Sequence, residues 1–84
     1  MERKINDKMI TDKKDLIMSE YIKYFKCDVE ENLFDVNIGF NAYDVLFVTL
    51  KIVLKLNIKY FDLNKLLDIK MTIKDLSNFL FEYL

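Results

Sequence analysis

The chain has 84 residues, of which 52% are hydrophobic and 32% charged, the balance of one small globular domain rather than a disordered segment. It contains no His, no Pro, one Gly and one Cys, and its formal net charge is -1. Without imidazole there is no Ser-His or Cys-His nucleophile and no ordinary zinc site, a lone Cys closes no internal disulfide, and a near-neutral balance lacks the basic face of a nucleic-acid binder. The composition therefore argues against an autonomous enzyme. Scarce turn residues disfavour a sandwich or barrel of short strands and favour an all-α bundle. Residues 1 to 14 alternate charges without the apolar stretch of a signal peptide, so a reducing cytoplasm is the expected compartment.

The charges are unevenly distributed. Residues 1 to 26 hold seven basic and five acidic side chains, for +2, whereas 28 to 50 hold five acids and no base, for -5. From Lys51 to Lys74 six lysines face two aspartates, for +4, and Asp75 and Glu82 return the sum to -1. Most of these charges are expected to solubilise helix faces. Glu30, Glu31 and Asp35 in the acidic stretch lack the glycine and terminal bidentate glutamate of a calcium loop, so no metal is expected there.

In chain order, residues 1 to 11 show little periodicity and are expected to form a flexible segment ahead of the domain proper, 12 to 84. Met18, Ile22 and Phe25, with Ile17 and Tyr21 beside them, predict an apolar stripe on a helix from about Asp12 to Lys26. Residues 27 to 40 lose the helical period and predict a long packed loop, with Leu33, Phe34, Val36 and Ile38 available as anchors. Cys27, at the helix end with no His to activate it, is expected to pack rather than react.

Asn41 is placed to cap a second helix from Ala42 to Leu56, with Asp44 at its third position where the helix dipole favours an acid. Only Asp44, Lys51 and Lys55 form a polar stripe on this helix, which predicts burial on most sides, while interruption by lysine rules out a bilayer span. Residues 49 to 58 also alternate with a strand period and carry β-branched side chains, and local sequence alone leaves the two readings open; the cap and the helical neighbours favour helix. Asn57 suits a left-handed helix end. Leu63, Leu66 and Leu67 predict a short third helix over 62 to 68. Thr72 as N-cap, Asp75 three positions on, and Met71 with Leu76 as a hydrophobic staple predict a last helix that runs to the C-terminus and whose inward face carries Leu76, Phe79, Leu80 and Tyr83.

Three main helices, a short one before the last and a long loop after the first form an order that resembles the acyl carrier protein family. The run Phe34-Asp35-Val36-Asn37-Ile38-Gly39-Phe40-Asn41-Ala42-Tyr43-Asp44 is similar to the family's phosphopantetheine motif: Phe34, Gly39 and Asp44 match, Ile38 is conservative, and Asn37 and Asn41 are amides of the expected aspartates. Thr72, Ile73, Asp75 and Leu76 look like the start of the family's last helix, so the resemblance spans about 12 to 84. It implies a small acyl-carrier-type bundle. The position of the modified serine is Ala42, which has no hydroxyl to esterify, so no cofactor is expected on this chain; 4'-phosphopantetheine would apply only if residue 42 were natively serine. Ser19 and Ser77 lack the motif's surroundings and are expected to be surface hydroxyls.

The resemblance also implies that the outward stripe of the second helix falls on Tyr43, Phe47, Leu50 and Leu54, with Val53 alongside and Lys51 and Lys55 replacing the acids that carriers commonly display. These apolar residues either pack against the chain's own loop and first helix or face a partner. The reading taken forward is a carrier-related, non-catalytic docking module for a biosynthetic or peptide-maturation enzyme, with Tyr43, Phe47, Leu50, Lys51, Val53 and Leu54 as partner-binding residues. Two alternatives stay open: a genuine acyl or peptidyl carrier inactivated by an engineered Ser-to-Ala change at position 42, and a small helical assembly module or homodimer unrelated to carriers.

Overall fold

The computed structural model describes residues 2 to 84, with side-chain environments from Lys13 onward. Four helices follow one another, α1 (Glu2–Phe25), α2 (Ala42–Lys55), α3 (Leu63–Asp68) and α4 (Ile73–Phe81), and no strand occurs among the described residues. The fold is all-α, and the strand period over 49 to 58 is not used. The reason is local: the cap at Asn41 commits the chain to helix, and helical geometry gathers Val45, Val48, Thr49, Ile52 and Val53 onto one buried face.

The first helix differs from expectation at its start. It begins at Glu2 rather than near Asp12, because residues 2 to 11 are mostly adequate helix formers and contain neither Pro nor Gly. The flexible segment expected over 1 to 11 falls on Met1 and on residues whose side chains lie outside those described. The buried stripe of α1 is also rotated from the expected one. Ile17, Tyr21 and Phe25, spaced four apart, are buried together with Glu20, whereas Ile22 is exposed and Met18 only partly covered. This stripe packs against both α4 and α2.

The remaining helices end as their local chemistry dictates. At the end of α2, Asn57 has φ of 57°, and the Ile58 and Asn57 amides donate to the Val53 and Leu54 carbonyls at 2.9 and 3.3 Å, a Schellman closure. Asp62 caps α3 by accepting from the Asn64 and Lys65 amides. Thr72 caps α4 by accepting from the Asp75 amide at 3.1 Å while its hydroxyl donates to the Asp75 carboxylate at 2.9 Å. This helix, expected to run to the C-terminus, ends at Phe81.

The long loop is tied to the α4 side of the bundle. Leu33 is fully buried, its amide donates to the Met71 carbonyl at 2.7 Å, and the Lys74 amide donates to the Val29 carbonyl at 2.9 Å. Phe40 meets Phe25 edge to face with ring centroids 4.6 Å apart. Gly39, at φ of 84°, lets the chain turn so that two amides, Ile38 and Gly39, share the Asp35 carbonyl. Of the four expected anchors, Leu33 is buried and Ile38 partly so; Phe34 is half-exposed and Val36 almost wholly exposed. The tight turn at 35 to 39 points Val36 away from the core, which overrides its hydrophobicity.

Candidate protein-docking surface

The start of α2 is built by a reciprocal cap. The Asp44 amide donates to Asn41 Oδ1 and the Asn41 amide donates to Asp44 Oδ2, each at 3.0 Å. Two otherwise orphaned backbone donors are satisfied in this way, fixing the pitch of the first turn and the direction of every side chain after it. Ala42 is the first helical residue and is exposed. Together with Phe34, Val45, Leu46, Leu66 and Met71 it lines an apolar groove of about 400 Å³ between the loop, α2 and α3.

Along the outer face of α2, Tyr43, Phe47, Leu50 and Leu54 follow one another at intervals of four, three and four residues. All four are exposed, Tyr43 by 82% and Leu54 by 79%. The sequence reading that packed α2 on most sides is therefore corrected: loop 26 to 41 lies against the α4 side of the bundle and leaves this face uncovered. Val53 is corrected in the opposite sense. It is only 7% exposed and belongs to the core, because it lies about a quarter-turn from the exposed line, on the flank that the rest of the bundle covers, and it is not available to a partner.

Lys51 sits beside this line and is not a free cation. Its ammonium lies 4.7 Å from the Phe47 ring centroid and 5.4 Å from that of Tyr24 on α1, so the two aromatic faces hold it over the apolar surface. Lys55 is engaged otherwise, donating to Glu20 Oε2 at 3.0 Å, as does Lys23. Those hydrogen bonds hold the Glu20 carboxyl below the usual carboxylate range, outweighing the opposing effect of desolvation.

The other candidate groups are structural. Burial first, then the charges of Glu31 and Asp28, push the Cys27 thiol up, which makes it a poor nucleophile. Ser77, expected at the surface, is fully buried and its Oγ has no hydrogen-bond partner among the described residues; the inward face of α4 includes it because Ile73, Leu76 and Leu80 on the same turns all face the core. Ser19 is exposed, as expected. Among the described residues no group of three or more His, Cys, Asp or Glu side chains is placed to hold a metal ion, and no helix is long and apolar enough to cross a membrane.

Four features of the site were not read from sequence: the Glu20 ion pairs, the lysine over two rings, the buried hydroxyl and the groove. Glu20 lies one residue before Tyr21 in an otherwise apolar stripe, a signal that would have marked it as a paired buried acid. The residues present do not fit a phosphopantetheine group, since Ala42 offers no oxygen for a phosphodiester. Comparison with protein-family models, curated proteins and solved structures returned no match.

Proposed function

We propose that this chain is a carrier-related bundle without covalent loading, acting as a non-catalytic docking module for a biosynthetic or peptide-maturation enzyme. The observation that carries this reading is the uncovered line Tyr43, Phe47, Leu50 and Leu54 on a helix whose opposite face is core. Contiguous exposed apolar side chains of this size are costly in water and commonly mark protein contacts. Support for the carrier relationship comes from the helix order and from the capping box, which puts residue 42 at the exposed head of α2, after the loop motif that resembles the carriers'. In this reading Asp28, Glu30, Glu31 and Asp35 steer a basic client toward the apolar face.

The test is binding of the purified chain to carrier-dependent enzymes encoded with it, measured by calorimetry. Phe47→Glu should abolish binding without loss of helicity; unchanged binding would remove the apolar face from the reading.

The exposure of Ala42 supports a second reading, that of a carrier inactivated by a Ser-to-Ala change, because a serine hydroxyl would be accessible there without rearrangement. Intact mass after incubation with coenzyme A and a promiscuous phosphopantetheinyl transferase separates the two. Loading of Ala42→Ser favours the inactivated carrier, and failure of a folded Ala42→Ser to load favours the docking module.

A further inference from the structure

The uncovered face of α2 has a charge pattern that complements itself. At about 100° per residue, Tyr43, Phe47, Leu50 and Leu54 fall within an arc of about 60°, a narrow seam of the kind two helices share. Asp44, Lys51 and Lys55 all lie on one flank of that seam, roughly a quarter-turn from its centre, whereas the other flank carries Leu46 and Val53. The acid stands near the N-terminal end and the two lysines toward the C-terminal end.

We infer that this face is covered by a second copy of the chain, with the two α2 helices antiparallel about a two-fold axis between Phe47 and Leu50. The inference rests on the reading of this face as an interaction surface and names what covers it when no enzyme is bound. In that arrangement Tyr43 lies opposite Leu54 of the second copy and Phe47 opposite its Leu50, so each aromatic ring meets a leucine. An antiparallel two-fold brings equivalent flanks together while reversing their direction. With a rise of about 1.5 Å per residue, Asp44 then stands level with the gap between Lys51 and Lys55 of the other copy, displaced by about 3 Å along the axis from each.

Because the interface is isologous, the same ion pairing occurs twice. A parallel pair would set the charged flank of each helix beside the Leu46 and Val53 flank of the other, losing that complementarity, and would align the two helix dipoles unfavourably.

Sedimentation equilibrium of the full chain over a wide concentration range tests this, using two charge reversals, Asp44→Lys and Lys51→Glu. Lys55 is left in place because it holds Glu20. The unaltered chain should be a dimer, and each variant alone should dissociate at least about tenfold more readily. An equimolar mixture of the two should associate more tightly than either, since position 44 of each copy then faces an opposite charge at position 51 of the other; this rescue also shows that both variants are folded.

A chain that stays monomeric to millimolar concentration overturns the inference. So does a dimer indifferent to both reversals and to mixing. The underlying reading fails separately and visibly: if Phe47→Glu abolishes helicity, the face is core and serves no partner of any kind, whereas a helical monomer that still binds an enzyme overturns only the dimer.

Discussion

Tyr21 Oη and Thr49 Oγ1 lie 2.7 Å apart in the fully buried contact between α1 and α2. They are 28 residues apart in sequence, and each is the other's hydrogen-bond partner in an otherwise apolar layer formed by Ile17, Val45 and Ile52. Burial raises the Tyr21 phenol well above its ordinary value, so it stays neutral near physiological pH.

Removing both members should cost less than the two single removals together. Tyr21→Phe or Thr49→Val alone leaves a buried hydroxyl unpaired, a loss of about 1–3 kcal/mol. The double variant should lose less than the sum of the two, and a double-mutant cycle by urea denaturation reads the difference. Additive losses would mean that the two hydroxyls do not depend on one another.

Glu20 makes stability depend on acid. Its folded pKa lies below its ordinary value of 4.5, because Lys55 and then Lys23 donate to it. A depressed carboxylate contributes stability that is present above the unfolded value and is lost as pH falls through the folded one. Thermal melts of the unaltered chain should therefore weaken below about pH 4.5 more steeply than those of Glu20→Gln. Parallel pH curves for the two proteins would show that the pair contributes nothing.

The cap at Asn41 can be weighed directly. Asn41→Ala removes the acceptor for the Asp44 amide and should cost about 1 kcal/mol, whereas Asn41→Asp should be close to neutral. Equal stability of all three by chemical denaturation would argue that the capping box contributes little.

The two faces of α2 should respond oppositely to truncation. Ile52→Ala should lose about 2–5 kcal/mol, while Leu54→Ala should stay within about 0.5 kcal/mol under dilute conditions. A comparable loss at both positions would place Leu54 in a packed environment.

Ser77 keeps a buried hydroxyl without a partner among the described residues. Ser77→Ala removes that unsatisfied group at little cost in volume and improves helix propensity, so it should raise the melting temperature. Ser77→Leu should lower it, since α4 packs closely on α1 there. A lower melting temperature for the alanine variant would indicate that the hydroxyl is satisfied in solution.

The local features of this protein were legible along the chain. Asn41 with Asp44, and Thr72 with Asp75, set where α2 and α4 begin, and Asn57 set where α2 ends, because capping is chemistry between residues a few positions apart. The all-α class followed from those caps, the helical periods and the scarcity of Pro and Gly. The apolar line on α2 was readable as a line of residues. Whether it faced inward or outward was a tertiary matter, decided by a loop that anchors through Leu33 to Met71 and so leaves Tyr43, Phe47, Leu50 and Leu54 uncovered. The same holds for α1, where apolar residues at 16 to 18, 21, 22, 24 and 25 fitted more than one rotation. Contact with α2 and α4 chose the one that buries Glu20 beside Lys55 and exposes Ile22. Burial belongs to pairs of elements distant in sequence, and neither member of such a pair specifies it alone.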